Sequence, residues 1–336
     1  MIVTYIMRAL FICFIPFAPN MVVIYGILVV LSVAKAFFNP SSMTYIAILV
    51  PKEKRKRFNS IRSFASSGAF IVGPAIGGAL ILLTSVETTL WLNALFFLFS
   101  AFILFFLPEK ENIDKETIPP LTIPQVVKDF TVVQNYMSHN KYVSFIYFGF
   151  IIIMIFSFAM DAQEVVFTQQ VIGLSEMEYS LLISITGIGS VIGALLLSVF
   201  SNFFSLRYMI VIGLVMMTIG YVIYAFSWSF LSIVVGFVIL GFFNVFLNAG
   251  ITTFYQNNVP VEIMGRVTSI YQLIQSVIQV VFILAIGFTA DIISLRFTII
   301  TLALVMLVSS ILFAFFVLNR RRVYFYREDN TENITF

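Results

Sequence analysis

Long stretches of apolar, uncharged residues recur along this chain, separated by short segments that carry charges or turn-forming residues. Within each stretch the apolar residues run continuously and do not alternate with polar ones, which indicates membrane-spanning helices rather than strands of a barrel. Each stretch is long enough to cross about 30 Å of hydrocarbon at about 1.5 Å per residue. The pattern predicts ten helices, at residues 2–18, 21–48, 59–84, 88–107, 142–167, 178–201, 207–226, 229–256, 265–290 and 295–318.

Residues 108–141 interrupt this pattern with prolines and many charged side chains. Part of the segment, 122–138, has an apolar face at helical spacing and a polar face opposite, typical of an amphipathic helix on the inner membrane surface. The apolar face holds Ile123, Val126, Val127, Phe130 and Val133, and the polar face Gln125, Lys128 and Asp129. We therefore predict a four-helix N-terminal bundle at 1–107, a cytoplasmic linker at 108–141, a six-helix C-terminal bundle at 142–319 and a cytoplasmic tail at 320–336.

The composition agrees with an all-α membrane protein: 60% of residues are hydrophobic and 10% are charged. Soluble domains average about 45–50% and 25% in these classes, so water could not solvate this chain as a globule. Cys13 is the only cysteine and His139, in the linker, the only histidine. We expect no disulfide within the chain, no metal site and no cofactor. The sequence also lacks a nucleophile–base set or phosphate loop, so we expect neither an enzyme nor a nucleic-acid partner.

Positive charges cluster in loops that fall on one side of the membrane if ten helices cross it in series. The largest cluster is 52–57, and Arg320, Arg321 and Arg322 follow the last helix. Among the loops of the opposite side, only the one with Arg296 is basic. The positive-inside rule places the basic loops and the C-terminus in the cytoplasm of a cell whose plasma membrane the protein spans.

One sequence pattern, Val-Pro-x-Glu-x-x-x-Arg-x-x-Ser-Ile, occurs twice, at residues 50–61 and 259–270. The copies are 209 residues apart, and the triplet Phe-Phe-Asn recurs upstream of each, at 37–39 and 242–244. A repeat on this scale in an apolar chain is typical of two similar helical bundles, as in many secondary transporters.

The repeat also bears on the start of the chain. The 209-residue spacing would place the counterpart of Tyr142 about 67 residues before Met1, room for two further helices. We therefore expect an N-terminally truncated form of a twelve-helix fold with two pseudo-symmetric bundles. The alternative is a genuine ten-helix protein.

Several motifs, taken in order, resemble the major facilitator superfamily, in particular its bacterial drug-export branch related to macrolide and siderophore exporters. They are Arg8-Ala9-Leu10, Phe37-Phe38-Asn39-Pro40, the block 50–61, Gly73-Pro74 with Gly77-Gly78, and Gly265-Arg266-Val267 with Ser269. The resemblance runs from family helix three to helix twelve and implies a rocker-switch exporter. Two departures stand out: the family loop between helices two and three would precede Met1, and Ala69 replaces the glycine four residues before the Gly-Pro pair.

Charged residues within the predicted spans are costly and therefore candidates for function. Lys35 lies near mid-membrane with Asn39 one turn away, and Arg62 lies within a turn of its predicted helix end. Asp161 and Glu164 are spaced i,i+3, and two close carboxyls in a medium of low dielectric cannot both ionise cheaply, which suits proton exchange. Solvation of both at the outer interface is the alternative.

The resemblance adds positions to this site, since family helices four, seven and ten border the central cavity. Their counterparts here carry Lys35 with Asn39, Asp161 with Glu164, and Asn244 with Asn248. We expect Lys35 to face the cavity, with Asp161 or Glu164 as partner; a purely structural ion pair is the alternative.

Three further groups have two interpretations each. Gln272, Gln275 and Gln279 form a stripe that binds substrate or bonds neighbouring helices. The glycine-proline motif of Gly73, Pro74, Gly77 and Gly78 is expected to allow close helix approach and a sliding contact. Arg57 and Arg266, which head matching helices, anchor in lipid headgroups or form a gating salt link.

These observations together predict a proton-coupled secondary transporter that exports amphiphilic, drug- or macrolide-like small molecules by alternating access. Its expected partners are the lipid bilayer, a small-molecule substrate and protons, and it is expected to act as a monomer. The alternatives are an inactive remnant of such a transporter, or a transporter of another metabolite or a siderophore.

Overall fold

The computed structural model describes residues 1–108 and 122–327. All regular elements in these ranges are helical, as the apolar pattern predicts. The α-helices are α1 (Ile2–Phe14), α2 (Met21–Leu49), α3 (Lys52–Leu83), α4 (Val86–Phe105), α5 (Ile123–His139), α6 (Lys141–Ala162), α7 (Glu164–Val166), α8 (Glu176–Phe200), α9 (Leu206–Phe226), α10 (Phe230–Asn258), α11 (Val261–Ile292) and α12 (Leu295–Val317).

Each of the ten predicted apolar segments coincides with one of these helices, which confirms the all-α membrane fold. Over the part of the chain described, nine helices are long and apolar enough to cross a membrane. The remaining apolar segment, Ile2–Phe17, is shorter and ends in a 3₁₀ turn that contains Pro16.

Two predicted helix starts are wrong, and both for the same reason. The third helix begins at Lys52 instead of 59, and the ninth at Val261 instead of 265. Each begins directly after a proline, Pro51 or Pro260, whose carbonyl oxygen accepts the first backbone hydrogen bond. The basic run after Pro51 suggested a loop, but lysine, arginine and glutamate are good helix formers. The helices therefore continue through the charged segments.

The predicted span 142–167 is also corrected at its end. The helix α6 ends at Ala162, and after Gln163 the chain forms the single turn α7 and a π-helical turn, Phe167–Val171. The turn at Gly173 has φ of +85°, a conformation that glycine adopts without strain.

The predicted amphipathic helix of the linker is present as α5. Val133 on its apolar face is buried, whereas Val126, Val127 and Phe130 are exposed, as a membrane-surface helix requires. The charged residues predicted between 109 and 121 lie outside the described residues, as does the tail beyond 327. Burial raises the pKa of Tyr136, near the end of α5, to about 12.

The chain forms two compact units. The first unit comprises residues 1–49, 72–133 and 260–269, and the second comprises 50–71, 134–259 and 270–336. Thus α3 and α11, which carry the two copies of the repeat, are each divided between units. The predicted domain division at 107 and 142 stays a proposal.

The core of the first unit lies where α1 packs against α4. Ala9 and Ile12 of α1 and Ala94 of α4 are buried together. The ring of Tyr5 packs against Phe38 and Phe97, with centroids 4.9 and 5.7 Å away. Small residues at the centre of this contact let the two helices approach while the rings fill the periphery.

The core of the second unit depends on glycines between α8, α9 and α10. A Cβ at Gly189 would lie 2.9 Å from the carbonyl oxygen of Val238, and one at Gly193 would lie 2.5 Å from that of Phe242. A Cβ at Gly220 of α9 would lie 2.8 Å from the carbonyl oxygen of Gly236. These glycines therefore bring α8 and α9 close to α10.

The segment after α12 docks onto the same unit. Residues Arg320–Tyr326 form 3₁₀ turns, and the hydroxyl groups of Tyr326 and Tyr142 lie 2.8 Å apart. The Asn258 amide, at the end of α10, donates to the Phe325 carbonyl at 2.9 Å, and the Tyr136 hydroxyl donates to the Asn258 carbonyl at 2.9 Å. Asn258 thus joins three segments of the chain.

The two copies of the repeat share two buried positions but differ in burial at others, since Ser60 is buried and its counterpart Ser269 is exposed. In the first copy the buried positions include Arg55 and Asn59, and the positions 209 residues later, Met264 and Thr268, are buried as well. The residues differ in chemistry at these matching places, cationic and amide in one copy and apolar or hydroxyl in the other. The two copies have therefore diverged both in the chemistry of their buried positions and in part of the face that they bury.

Candidate functional site

The second unit encloses a cavity of about 490 Å³. Its walls come from the second unit's part of α3, from the end of α6, from α7, and from one face each of α8, α9 and α10. The volume lies within the usual range for small-molecule sites, roughly 300–1,000 Å³. The chemistry of the cavity depends on which side chains each helix contributes.

Two carboxylates line the cavity where α6 ends. The Tyr221 hydroxyl donates to Asp161 Oδ1 at 2.8 Å, and the Tyr179 hydroxyl donates to Glu164 Oε1 at 3.1 Å. Asp161 lies in the last turn of α6 and Glu164 opens α7, so the break at Gln163 still leaves both carboxyls on the cavity wall. The predicted pair is therefore brought together in a cavity, with one phenol for each acid.

An amide pair on α10 lines the same cavity. Asn248 Nδ2 donates to Asn244 Oδ1 at 2.7 Å and to the Asn244 carbonyl oxygen at 2.9 Å. The four-residue spacing places both side chains on one face of the helix. The structure thus places Asn244 and Asn248 on the wall of the same cavity as Asp161 and Glu164.

The face of α3 that lines the cavity is polar. Asn59 is 2% exposed, and its Nδ2 donates to Thr253 Oγ1 at 2.9 Å and to Gln256 Oε1 at 2.8 Å. One turn further, Arg62 lies ten residues after Lys52, about 15 Å into the helix. The remaining lining residues of this helix are three serines and a phenylalanine: Ser63, Ser66, Ser67 and Phe70.

Two basic residues hold this part of α3 in place. Arg55 Nη1 donates to the Gln256 carbonyl at 2.5 Å, and Lys56 Nζ donates to the Phe204 carbonyl at 2.8 Å. Both side chains are buried, at 5% and 4% exposure. Carbonyls in the last turn of a helix such as α10 carry partial negative charge and therefore stabilise a cation there.

The family model of the Major Facilitator Superfamily matches residues 1–275 and, in a second match, residues 150–329. The chain belongs to this superfamily. A curated relative from Bacillus subtilis (strain 168), the uncharacterized MFS-type transporter YfiS, is 33% identical over 96 residues, or 29% of this chain. The match covers 23% of that relative's length.

Two solved structures of superfamily transporters are similar to the chain. For the human organic anion transporter MFSD10 the TM-score is 0.73 at 14% identity, covering 93% of this chain and 76% of that one. For the Escherichia coli fucose:proton symporter FucP the TM-score is 0.70 at 13% identity, covering 94% of this chain and 82% of that one. At these identities the likeness establishes the fold, which is that of multi-pass membrane transporters.

Several predicted site residues of this superfamily member lie elsewhere. Lys35 and Asn39 are exposed on α2 in the first unit, and the lining of the cavity does not include them. Across residues 1–108 and 122–327, Lys35 makes no hydrogen bond or ion pair. The glutamines Gln272, Gln275 and Gln279 are half-buried on α11, outside the cavity lining. The roles predicted for these residues stay predictions.

The superfamily glycine motif and the two helix-heading arginines show distinct surroundings. A Cβ at Gly73, Gly77 or Gly78 would meet no described atom within 4 Å, so the expected close helix approach is absent in this conformation. Arg57 is exposed, whereas Arg266 Nε lies 3.2 Å from Asp129 Oδ1 of the linker helix. Both partners of this pair are substantially exposed, so the pair contributes little to stability.

Arg62 is not predicted as a cavity residue from the sequence, because the charged run before it suggests a loop and places the start of α3 seven residues too late. The sequence prediction also did not include the serines or the two tyrosines. A signal was present: Asn59, Arg62, Ser63 and Ser66 lie at spacings of three and four, which marks one polar helix face. Among the described residues, no group of three histidine, cysteine or acidic side chains could hold a metal ion.

Proposed function

We propose that this superfamily member is a proton-coupled secondary transporter that exports amphiphilic, drug-like small molecules, with the second unit's cavity on its transport pathway. The observation that carries the proposal is the pair Asp161 and Glu164 on the wall of one cavity, each with a tyrosine donor. Two neighbouring carboxyls on the wall of one cavity exchange a proton readily, because ionising both in a medium of low dielectric is costly. Such a pair is a natural proton carrier.

The walls of the cavity support an amphiphilic substrate. Phe237, Leu240 and Ile183 offer apolar contact, and Asn244 and Asn248 offer amide hydrogen bonds. Small-molecule sites commonly combine apolar walls with a few placed polar groups. A molecule with an apolar body and polar ends would match both kinds of surface.

Alternating access would couple the proton to transport. Protonation of Asp161 or Glu164 changes the charge of the cavity and therefore the relative free energy of the two access states. In this proposal Lys35, Asn39 and the α11 glutamines line the pathway in the full cycle. Gly73, Pro74, Gly77 and Gly78 would provide a surface for the state in which helices approach more closely.

The remaining proposals concern the membrane, the topology, the oligomeric state and the branch of the superfamily. We infer a plasma-membrane protein that acts as a monomer, with the basic loops and the C-terminus in the cytoplasm, following the positive-inside rule. We also infer that the described helices correspond to family helices three to twelve of the drug- and macrolide-efflux branch. Both inferences rest on the charge distribution and the motifs of the sequence.

Transport by the purified full chain in lipid vesicles tests the proposal. An imposed pH gradient should drive a fluorescent amphiphilic dye across the membrane, and Asp161→Asn or Glu164→Gln should abolish this pH-driven flux. Asp291→Asn, an exposed acid at the end of α11, is the matched control and should retain it. Equal pH-driven flux in wild type and both cavity variants would overturn the coupling role.

A further inference from the structure

The two ends of the cavity carry opposite charge. At one end, Tyr221 holds Asp161, and the neighbouring Gly220 packs against Gly236 of α10. The carboxylates therefore lie level with the turn of α10 that contains Phe237, itself a lining residue. This turn is close to the start of α10 at Phe230.

The arginine lies level with the other end of α10. Asn59 is bonded to Thr253, and Arg55 to the Gln256 carbonyl, so α3 and α10 run antiparallel here. One turn beyond Asn59, Arg62 is therefore level with Ala249, a lining residue. From Phe237 to Ala249 the helix advances by twelve residues, about 18 Å, so Arg62 and the two acidic residues are attached to the cavity wall at different levels of α10.

The arginine end holds unused hydrogen-bonding groups. In the described parts of the chain, Arg62 has no ion pair or hydrogen bond, and the buried oxygen Oδ1 of Asn59 has no hydrogen-bond partner. Arg62 is exposed on the cavity wall, so its guanidinium is accessible to an anionic group of a ligand. The hydroxyls of Ser63, Ser66 and Ser67 line the same wall and can donate to an anion that Arg62 binds.

We propose that the cavity binds an elongated zwitterion, a refinement that rests on the proposed function. The cationic group of the ligand lies against Asp161 and Glu164, and its anionic group is held by Arg62 and the serine hydroxyls. An arginine fork matches a carboxylate or phosphate group with two parallel hydrogen bonds, which makes it a selective anchor. The apolar middle of the ligand packs along Phe70, Leu240 and Ile183.

A matched set of four small probes separates the two charges. The tetrapeptide Leu-Ala-Ala-Leu, whose extended termini lie roughly 13 Å apart at about 3.3 Å per residue, carries both charges. Its C-terminal amide carries only the cation, its N-acetyl form only the anion, and the doubly blocked form neither. The corresponding pentapeptide set provides a longer charge separation. Binding of each probe to the purified full chain in detergent is measured by titration calorimetry, without any gradient.

We expect at least one zwitterionic probe to bind about tenfold or more tightly than its singly charged forms, since a hydrogen bond to a charged group is worth roughly 1.5–3 kcal/mol. Arg62→Gln should lower the affinity for probes with a free carboxylate about tenfold and leave that for the amides unchanged. Arg62→Lys, which keeps the positive charge, should retain part of the affinity for probes with a free carboxylate. Lys52→Gln, which removes a positive charge from an exposed position of the same helix, should change none of the affinities.

Three results would overturn the zwitterion proposal: preference for the singly cationic amide, equal affinity for all four forms, or the same loss for every probe in Arg62→Gln. The outcome is independent of proton coupling. Selective binding together with pH-insensitive flux in the vesicle experiment would sustain the binding site and defeat the proposed coupling. Unselective binding together with Asp161-dependent flux would defeat the zwitterion site and sustain the proposed coupling.

Discussion

Tyr221 donates a 2.8 Å hydrogen bond to Asp161, and this bond links α9 to the end of α6. Tyr221 is itself buried, at 4% exposure, so its phenol is fixed in position by packing. A fixed donor stabilises the ionised form of the carboxyl that it contacts. The bond therefore holds the Asp161 carboxyl in place on the cavity wall.

Removal of that phenol should change the pH profile of transport. With Tyr221→Phe the ionised form of Asp161 loses its donor, so the carboxyl keeps its proton to higher pH. The midpoint of pH-dependent transport should rise by about one unit, since one unit corresponds to about 1.4 kcal/mol. Flux in vesicles across a series of pH values measures the shift. Tyr25→Phe, at an exposed site on α2, should leave the midpoint in place, and an unchanged midpoint in Tyr221→Phe would contradict the prediction.

Substitution of Gly193 should loosen the contact between α8 and α10. A Cβ in Gly193→Ala would lie 2.5 Å from the Phe242 carbonyl oxygen, so the helices must separate, at a cost of about 1–3 kcal/mol. Gly26→Ala is the matched control, because a Cβ there meets no described atom within 4 Å. Thermal unfolding in detergent should show a lower Tm for Gly193→Ala alone. Equal melting of the two variants would refute the close packing.

Substitution of Lys35 tests its predicted place on the pathway. Lys35→Leu should lower transport strongly while protein levels and Tm stay normal, because the side chain is exposed and contributes no packing. Lys35→Arg keeps the positive charge and should retain most of the flux. Normal transport by Lys35→Leu would remove this residue from the pathway.

The sidedness of the basic segment at the start of α3 can be measured by labelling. A cysteine introduced in place of Lys54, in a chain that also carries Cys13→Ser, should react with a membrane-impermeant maleimide only after cells are opened. The positive-inside rule predicts this because five lysine or arginine residues lie within 52–57. Labelling of intact cells at Lys54→Cys would invert the assigned topology.

Continuous hydrophobicity was sufficient to predict the helices, because a bilayer imposes one length and one kind of surface on every span. The same reasoning singled out Asp161 and Glu164, since an acid inside a span is costly wherever it lies. Helix starts were harder to predict. Lys52 and its basic neighbours resemble a loop by charge, and the proline before them decides where the helix begins.

Residues that depend on helix neighbourhood could not be predicted from the sequence. Nothing local distinguishes Tyr221 or Tyr179 from the other tyrosines of the chain, and their role follows from which carboxyl each one meets. Arg62 was recognised as an unusual charge, but its depth in the helix follows from the start at Lys52. The cavity forms between six packed helical segments, and the hydrophobic pattern of any one segment does not show how it packs against the others.

Asn258 has a consequence for how motion spreads through the second unit. Its backbone carbonyl accepts a hydrogen bond from the Tyr136 hydroxyl, and its side-chain amide donates one to the Phe325 carbonyl. This one residue therefore connects the linker helix, the C-terminal end of α10 and the tail. If the C-terminal end of α10 tilts, the linker helix and the tail must move with it, or one of these hydrogen bonds must break. A spectroscopic reporter on the tail would therefore register rearrangements that begin inside the bundle.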